Sequence, residues 1–338
     1  MLPYFLHQLI NVNGIEKVSI AGEAWAVFRI PTSRLHRACG ESVLLSHDDD
    51  PDYDPSFDPD FDPEGCVESE EIVVVRRDPV VDHAKDDLKR FFAAEPESVF
   101  YQRQLQVIFE KKYFHWITSH ALSELAQEGS ISAQSLPLPW TGTGSGTITI
   151  YRSNTYRYWK RQADEIVKLV SRFSQPSFTL ALGAQGEMMF DAALPAVGFM
   201  PTGRNVRLHG GLQWTRTGHD LDRVFERDGI GYGAEIKNTL GYIEREELEV
   251  KVAMCRHLGL CPLFIVRMAP KSYVNFVEKE GGFTLIFKYQ LYPFGEKAFA
   301  DEVRGKLRLP TDSPLRIEEG TVKRLADWHA RKLKRPVG

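Results

Sequence analysis

The spacing of apolar and polar residues changes along the chain, and each change predicts a different kind of structure. In the first 40 residues, "KVSIAGEAWAVFRIP" alternates apolar with polar positions, which is typical of short β-strands. "EIVVVRRDPVV", which ends at residue 81, has the same strand character. Apolar residues then recur three and four positions apart in "AKDDLKRFFAA", "YQRQLQVIFEKK" and "HWITSHALSELAQEGSI". These stretches predict three helices, the third with Ile117, Ala121, Leu122 and Leu125 on one face and its end at Gly129.

Beyond the third helix, the pattern predicts a hairpin, a connecting helix and a mixed α/β region. "ISAQSLPLPW", "TGTGSG" and "TITIYRS" predict strand, flexible tip and strand, and "RYWKRQADEIVKLVSRF" predicts the connecting helix. From residue 176 the order is helix, strand, strand, strand, helix, strand. The helix "GEMMFDAALPAVGF" extends to Gly198, and the strands are "NVRLHGGLQW", "HDLDRVFERD" and "GYGAEIKN". Then "IEREELEVKVAMCRHLG" predicts a helix closed by Gly259, and "CPLFIVRM" predicts a buried strand.

These elements predict an α/β (α+β) chain of several domains. The segments are a β-rich N-terminal unit at 1–83, a helical unit with its hairpin at 84–153, an α/β domain at 154–310 that includes the connecting helix 154–173, and a basic C-terminal helix at 311–338. In that last helix, Leu325, Trp328 and Leu333 are expected to dock on the body of the protein.

The location expected from the sequence is the cytoplasm, of prokaryotic type. No apolar run reaches the roughly 18 residues of a membrane span, so no membrane association is expected. The start, "MLPYFLHQLINVNG", lacks the basic flank and cleavage site of a secretory signal. The four cysteines form neither a CxxC pair nor a zinc-site spacing, which favours reduced thiols.

The net charge of -4 conceals an uneven distribution. Residues 41–71 hold 13 Asp and Glu and no Lys or Arg, so the rest of the chain has 42 basic against 33 acidic residues, a net charge of +9. The acidic loop at 47–65, "HDDDPDYDPSFDPDFDPEG", is typical of disorder because its Asp-Pro steps and like charges oppose helix and central strand. A calcium site or a DNA-mimicking flap are alternatives for it. A basic body of this kind suits a polyanionic ligand, although it also fits an ordinary solvated surface.

The three helices followed by a hairpin with a glycine-rich tip resemble a winged-helix domain. In that family, the third helix enters the major groove of DNA and the wing contacts the phosphate backbone. A helical subdomain that only packs or mediates protein contacts is the alternative. The resemblance implies groove contacts near the start of the third helix and phosphate contacts from basic residues, and the candidates are His115, Trp116, Thr118, Ser119, His120, Lys111, Lys112, Arg157, Lys160 and Arg161.

Three charged residues crowd two predicted strands joined by a glycine-rich turn. Twelve residues separate Asp222 from Glu235, enough for two strands and a turn that place them side by side. Because side chains alternate in a strand, Glu235 and Lys237 point together while Ile236 points into the core. A cation between the two carboxylates would relieve their repulsion. The alternative is a surface ladder of ion pairs across a hairpin.

Magnesium is the cation that this pair of carboxylates favours. It takes one or two protein carboxylates and fills its shell with water and phosphate oxygens, and Mn²⁺ is expected to substitute for it. The backbone carbonyl of Ile236 is a further candidate ligand, and Asp220 is expected on the same strand face as Asp222 to substitute for it or supplement it. Lys237 is expected to orient or deprotonate an attacking water and to stabilise charge on phosphorus.

The string "LD", twelve residues and "EIK", followed by a helix and a strand, resembles the PD-(D/E)XK (restriction-endonuclease-like) nuclease superfamily. The resemblance spans about 120 residues, although no proline precedes Asp222. It implies a central mixed sheet flanked by helices, with Asp222, Glu235 and Lys237 in the acid, acid and lysine positions. Glu187 matches the upstream glutamate that family members often carry on the preceding helix, and Lys251 is a secondary candidate from the following helix.

The function that these resemblances imply is magnesium-dependent hydrolysis of double-stranded DNA by an endonuclease. Restriction or defence is the leading expectation, with a homodimer as the cutting species because double-strand cleavage needs two sites. A structure-specific nuclease of repair or recombination is one alternative, and a catalytically inactive DNA-binding protein of the same fold is another. A transferase or other metal enzyme that acts on a small substrate remains a third class.

Overall fold

The computed structural model describes five ranges of the chain. They are the backbone of residues 15–20, 23–31 and 70–76, and residues 78–139 and 146–333 in full. The acidic loop 47–65 and the hairpin tip 141–145 lie outside them. The chain divides into two compact units, residues 1–81 and 82–338. The finer division of residues 84–338 stays a prediction.

The first unit contains an antiparallel three-stranded sheet. Its strands β1 (Ile15–Ile20), β2 (Glu23–Pro31) and β3 (Glu70–Arg76) pair in that order, which confirms the strands expected here. The prediction that the strand extends to residue 81 is wrong, because helix α1 (Pro79–Ala94) begins first. The carboxylate of Asp78 accepts a 2.9 Å hydrogen bond from the backbone N–H of Val80, so an aspartate caps the helix and a proline opens it.

The predicted three helices and hairpin are present at the start of the second unit. Helix α1 is followed by a three-residue strand β4 that the sequence did not indicate, then by two helices and two strands. β4 pairs with the last of these strands, which gives a sheet of order β4–β6–β5. The bounds are β4 (Val99–Tyr101), α2 (Gln102–Phe109), α3 (His115–Gln127), β5 (Ser132–Leu138) and β6 (Gly146–Arg152).

Helix α3 buries the face that its periodicity predicts. Ile117 is 5% exposed, and Ala121, Leu122 and Leu125 are fully buried. Gly129 ends the helix with φ 70°, a left-handed conformation that glycine adopts without strain.

Two helices and a first group of strands open the α/β region. The prediction of one strand over "NVRLHGGLQW" is wrong, because Gly210 and Gly211 take φ values of 56° and 80° and turn the chain into a short hairpin. The predicted helix also ends earlier, with a 3₁₀ turn before Gly198. The bounds are α4 (Lys160–Phe173), α5 (Pro176–Ala193), β7 (Met200–Val206), β8 (Leu208–His209) and β9 (Leu212–Gln213).

A mixed five-stranded sheet forms the centre of this region. Its order is β13–β12–β11–β10–β7, with β11, β12 and β13 parallel and β10 antiparallel to both of its neighbours. The mixed sheet and flanking helices confirm the α+β class at this coarse level. The further bounds are β10 (Leu221–Arg227), β11 (Ile230–Lys237), α6 (Arg245–His257), β12 (Cys261–Val266), α7 (Lys271–Lys279), β13 (Phe283–Ile286), β14 (Gln290–Leu291), α8 (Lys297–Leu307), β15 (Thr311–Asp312) and α9 (Glu319–Leu333).

Helices cover both faces of the sheet. α5 and α9 pack on one face through a core that includes Phe190, Ile236 and Leu325. α6 and α7 pack on the other, where Leu248 and Val277 are among the buried residues. β12 is buried on both faces, as its continuous apolar run predicts. Among the described residues, no helix is long and apolar enough to cross a membrane.

Helix α6 approaches β11 closely at a glycine. A Cβ on Gly233 would lie 2.6 Å from Cys255 Sγ and 2.8 Å from Leu221 Cδ1, so a larger residue would push the helix away. Glu235 and Lys237 are two and four positions further along the strand and face the same helix. The close packing at Gly233 therefore sets how near α6 lies to these two side chains.

Helix α9 docks through two of the three residues predicted for this role. Leu325 is fully buried, and the Trp328 ring stacks on Phe283 with centroids 4.9 Å apart. Leu333 is 51% exposed, so the prediction for it is wrong, since the helix ends there with its side chain in solvent.

Replacing the buried leucine should destabilise the protein much more than replacing the exposed one. We expect Leu325→Ala to lower the free energy of unfolding by about 2–5 kcal/mol through lost burial and a residual cavity. Leu333→Ala, in the same helix, should change it by less than about 0.5 kcal/mol. Urea unfolding followed by circular dichroism measures both. Equal effects of the two substitutions would contradict the docking of α9.

Candidate active site

Asp222 and Glu235 lie side by side across the hairpin of β10 and β11. The strands are antiparallel with Arg223 opposite Ala234, so Asp222 and Glu235 occupy the next positions along. Asp222 Oδ2 accepts a 2.7 Å hydrogen bond from the backbone N–H of Ile236. The twelve-residue spacing therefore brings two carboxylates to one place on the sheet.

Glu235 is a buried carboxylate held between two lysines. It is 1% exposed, with Lys237 Nζ 2.8 Å from its Oε1 and Lys251 Nζ in contact with its Oε2. Although both ammonium groups are close, neither carboxylate oxygen accepts a hydrogen bond of good geometry. The charge of Glu235 is thus compensated, and a metal ion that bound this carboxylate would have to displace Lys237 or Lys251 from it.

Lys237 is shared between Glu235 and a second glutamate. Its Nζ donates a 2.8 Å hydrogen bond to Glu247 Oε1 of α6. Burial alone would lower the pKa of Lys237, but the two carboxylates more than reverse this and raise the pKa above its ordinary value. Lys237 is therefore an ammonium ion, which favours orientation and charge stabilisation over deprotonation of water as its role.

The Asp222 carboxyl binds a proton more readily than an ordinary aspartate does. Burial, and then repulsion by the Glu235 carboxylate, raises the pKa of Asp222 from 3.8 to about 6. The hydrogen bond from Ile236 N–H and the charges of Lys251 and Lys237 oppose this rise. Near neutral pH, the binding of a cation to this carboxylate would complete the release of its proton.

Asp222 and Lys237 border a cleft of about 240 Å³ at the carboxyl end of β11, and Glu235 is buried beside them. Residues of α5, β10, β11 and the segments that follow β11 and β13 form its walls. They are Thr179, Leu182, Gly183, Glu187, Asp222, Ile236, Lys237, Asn238, Thr239 and Gln290.

Glu187 lies on the wall of this cleft but is paired with arginines. Its Oε2 is 3.1 Å from Arg204 Nη2 and 2.8 Å from Arg223 Nη2. Arg223 is 3% exposed and also pairs with Asp191 of the same helix at 2.9 Å. Sequence reasoning missed Arg223, whose only signal is a charge at an inward position of an apolar strand. The predicted metal role of Glu187 would require its carboxylate to leave these partners.

Of the two further ligand candidates, the Ile236 carbonyl faces Asp222, whereas Asp220 lies before the strand that carries Asp222. β10 begins at Leu221, so Asp220 precedes the strand, and its backbone carbonyl rather than its carboxylate is bound by Lys251 Nζ. The expectation that Asp220 shares a strand face with Asp222 is therefore wrong. In a strand, the N–H and C=O of one residue point to the same edge, so the Ile236 carbonyl faces the side on which Asp222 binds its N–H.

Helix α6 supplies two side chains to the site, of which the sequence predicted one. Lys251 is 4% exposed and lies among the buried residues Leu248, Val252 and Cys255 of the helix. Lys251 was a secondary candidate because the resemblance implies a further side chain from the helix that follows the motif. Glu247 was missed, although it is one turn before Lys251 and therefore reaches the same part of the sheet.

Asn238 is a further residue that sequence reasoning missed. Its Nδ2 donates 2.7 Å hydrogen bonds to the carbonyls of Leu182 and Leu291, and its Oδ1 accepts one of 2.7 Å from Leu291 N–H. A Cβ on Gly186 would lie 2.8 Å from Asn238 Cβ, so α5 touches the chain here. Asn238, which directly follows Lys237, thus holds α5 and β14 at the end of β11.

The predicted groove-facing residues of α3 divide into two groups. His115 is 7% exposed and Thr118 is fully buried, so neither side chain can reach DNA in this arrangement. The His115 ring stacks on Tyr242, and its Nδ1 lies 2.9 Å from Arg103 Nη1. Ser119 accepts a hydrogen bond of 2.6 Å from Gln106 Nε2. His115 and Thr118 serve the packing of α3, which corrects their predicted role, whereas Ser119 is partly exposed and its predicted contact stays a prediction.

The outward face of α3 carries a different set. Trp116 and His120 are partly exposed, and Ser123 and Gln127 are exposed. These four positions follow the helical spacing of four, three and four residues, so they form one stripe. Two of them were predicted and two were missed, because sequence reasoning took the start of the helix rather than its solvent face.

The predicted phosphate-binding residues all reach solvent. Lys112 Nζ is 2.8 Å from Asp87 Oδ2, an ion pair that is largely exposed on the lysine side. Arg161 Nε is 3.7 Å from Glu165 Oε1. The exposed members of the predicted set are Lys111, Lys112, Arg157, Lys160 and Arg161.

The residues of the cleft fit a magnesium ion with few protein ligands. Across the described ranges, no group of three or more His, Cys, Asp or Glu side chains is placed to hold a metal. Asp222 and Glu235 make a two-carboxylate set, which suits Mg²⁺ because this ion retains several waters. The feature of the structure that favours a cation here is the proximity of the two carboxylates, because repulsion by Glu235 adds to burial in raising the pKa of Asp222.

The chain was compared with protein-family models, curated proteins and solved structures, and nothing matched. Membership of a family is therefore a proposal, and it depends on the geometry of the cleft.

The raised pKa of Asp222 should be visible by titration and should depend on Glu235. We expect the Asp222 carboxyl to titrate near pH 6, and Glu235→Gln to shift the midpoint downward because a like charge is removed. Carboxyl ¹³C chemical shifts followed against pH, with Asp222→Asn to assign the signal, measure both. Glu249→Gln is the control. Glu249 is an exposed residue of α6, so this substitution should leave the midpoint unchanged.

The sign of the effect on stability follows from the same shift. Because folding raises the pKa of Asp222, this group stabilises the folded protein below about pH 4, and that contribution is lost as pH rises through about 6. A titration midpoint near 4 that does not respond to Glu235→Gln would show that the two carboxylates do not interact.

Proposed function

We propose that this chain is a magnesium-dependent DNA endonuclease of the PD-(D/E)XK type that cleaves double-stranded DNA in restriction or defence. One observation carries the proposal: Asp222, Glu235 and Lys237 converge at the carboxyl end of β11, where Asp222 and Lys237 border a cleft and Glu235 is buried beside them. An acid, a second acid and a lysine in this relation can hold a cation and present an ammonium group to a phosphate.

The order of elements around the cleft supports the same proposal. α5, β7, β10, β11, α6 and β12 form the order of helix, three strands, helix and strand, although β7 lies before the strand predicted at 205–214, where the hairpin β8–β9 stands. The two acids occupy neighbouring positions on β10 and β11, as they would in a PD-(D/E)XK site. Lys251 on α6 occupies the place where family members often carry a further Lys or Gln.

The carboxylates of Asp222 and Glu235 and the carbonyl of Ile236 would hold the magnesium ion. When bound, the ion would polarise the phosphate and lower the pKa of a water molecule. Asp222 must lose its proton to take part, which its pKa of about 6 permits at neutral pH. Glu247 holds the ammonium group of Lys237, so that its charge is fixed at the mouth of the cleft.

Lys237 would stabilise the negative charge that develops on the phosphate oxygens. Water would attack phosphorus in line and release its proton to the solvent. The bond from phosphorus to the 3′ oxygen would break, and the 3′ oxygen would take up a proton from the solvent. The products are a 5′-phosphate and a 3′-hydroxyl. Because Lys237 is protonated in this arrangement, it orients the reactants and does not accept the proton of the water.

The part of the chain from α1 to β6 would bind the DNA. Its order of helix, strand, helix, helix, strand, strand supports the resemblance to a winged helix. The stripe of Trp116, His120, Ser123 and Gln127 is the surface that α3 offers to a groove. Lys111 and Lys112, at the turn before α3, would meet phosphates. Cleavage of both strands would then require a homodimer with two clefts.

One observation favours a second candidate, a DNA-binding protein of this fold that does not cleave. Lys237 and Lys251 neutralise Glu235 without any metal, as in a structural network of ion pairs. Such a protein would bind DNA with a strong dependence on salt concentration and would hydrolyse nothing.

Incubation of the protein with plasmid DNA, with and without Mg²⁺, tests the proposal. We expect cleavage only with Mg²⁺ and products that carry 5′-phosphates. Ends that map to one recurring sequence would support restriction, whereas preference for branched or nicked DNA would assign the activity to repair or recombination. No hydrolysis in Mg²⁺ or Mn²⁺, with salt-dependent DNA binding intact, would leave the binding protein as the function.

Lys237→Ala separates catalysis by this cleft from a contaminating nuclease. We expect the rate of cleavage to fall about 10²–10³-fold, because charge stabilisation at the phosphate is lost. Affinity for DNA should change little, since one ammonium group among many basic residues is removed. Lys323→Ala, at a lysine that is 71% exposed on α9, should cleave like the unmodified protein. Equal rates for Lys237→Ala and the unmodified protein would refute the assignment.

A further inference from the structure

Arg267 is a buried arginine directly beyond the carboxyl end of β12. β11 and β12 are parallel with Lys237 opposite Val266, so Arg267 follows at the sheet edge where Lys237 lies. Its guanidinium donates from Nε to the Thr239 carbonyl at 3.2 Å and from Nη2 to the Leu240 carbonyl at 2.9 Å. Arg267 thus holds the chain where it leaves the candidate site.

The same guanidinium is bound from the other side by Glu110, which follows α2. Arg267 Nη1 lies 2.8 Å from Oε1 of Glu110, and Nη2 lies 2.6 Å from Oε2. The two side chains are only 3% and 9% exposed. Two parallel bonds between planar groups fix their relative orientation, which a single contact does not.

A ring stack lies beside this ion pair. His115, the first residue of α3, stacks on Tyr242 with centroids 4.0 Å apart and planes at 23°. Tyr242 belongs to the segment 239–244, which connects β11 to α6. The N-terminal end of α3 therefore rests on the segment that Arg267 holds.

Movement of the segment 239–244 would reach the cleft by two routes. Thr239 is part of the cleft wall, next to Asn238 and Lys237. At its other end, the segment leads into α6, which carries Glu247 and Lys251, the partners of Lys237 and Glu235.

We propose that the Arg267–Glu110 ion pair is a positioning device that couples the seating of α3 on DNA to the arrangement of the catalytic cleft. This proposal rests on the proposed nuclease function and adds to it a way in which bound DNA acts on the cleft. Neither residue borders the cleft, so both act through segment 239–244. DNA that shifts α3 moves Glu110 and His115. The guanidinium of Arg267, which binds Glu110 on one side and the Thr239 and Leu240 carbonyls on the other, transmits this shift to segment 239–244.

The test begins with Glu110→Gln and Arg267→Gln in the full chain, alone and together. We expect kcat for DNA cleavage to fall about 10–100-fold in each, because a small misplacement of catalytic groups is costly. The Kd for DNA measured without metal should stay within about threefold, because neither side chain meets DNA. The double variant should be no slower than the slower single variant, since both remove one interaction.

Glu95→Gln is the matched control. Glu95 directly follows α1, and its carboxylate pairs at 2.7 Å with Arg308, the residue that follows α8. This ion pair therefore also joins the α1–β6 part of the chain to the α/β region, but it does not touch segment 239–244. Glu95→Gln should leave kcat unchanged.

If the buried variants fail to fold, Tyr242→Ala decides, because Tyr242 is only partly buried and its loss removes the stack on His115. We expect the same fall in kcat at unchanged Kd.

Hydrogen exchange provides a reading that does not need cleavage. In the unmodified protein, DNA without metal should alter amide exchange in segment 239–244, and Glu110→Gln should abolish that response. Unchanged kcat in folded variants, an equal fall in Glu95→Gln, or no response of segment 239–244 to bound DNA would each overturn the coupling. Failure of the unmodified protein to cleave, with the exchange response intact, would instead overturn the nuclease function.

Discussion

A buried glutamate between two lysines is the interaction on which the rest of the site depends. Glu235 is 1% exposed, and a carboxylate in such surroundings is costly unless cations lie beside it. Lys237 on the same strand and Lys251 on α6 supply them. The arrangement requires α6 to lie close to β11, which Gly233 permits because no side chain separates the strand from Cys255. Burial, and then repulsion by Glu235, raise the pKa of Asp222, and a divalent cation between the two carboxylates would remove that repulsion.

Three parts of the fold fix the charged groups at the carboxyl ends of β11 and β12. α6 fixes Lys237 through Glu247, and α5 is fastened to the end of β11 through Asn238. The helical part reaches the same sheet edge through Glu110 and Arg267. The cleft therefore lies where three segments of the same compact unit meet. In the function proposed above, these contacts are the route by which DNA bound on a neighbouring surface would influence the cleft.

The sequence was sufficient for the parts of this arrangement that local periodicity determines. Alternation in "GYGAEIKN" placed Glu235 and Lys237 on one face, and the twelve-residue spacing placed Asp222 opposite. Contacts between distant segments could not be predicted in this way. Arg223 binding Glu187, Glu247 binding Lys237 and Arg267 binding Glu110 each join residues whose proximity depends on tertiary packing. The same limit explains α3, where the apolar face was clear but the side that packs His115 on Tyr242 was not.

Anomalous scattering from crystals of the protein soaked in Mn²⁺ would distinguish a metal site from a network of ion pairs most directly. We predict one strong peak between Asp222 and Glu235, at about 2.0–2.2 Å from a carboxylate oxygen of each, the short distance that such hard cations prefer. Lys251 or Lys237 would then have moved away from Glu235. Diffraction at saturating Mn²⁺ that shows no peak there, with both lysines still on Glu235, would contradict a catalytic cation in this cleft.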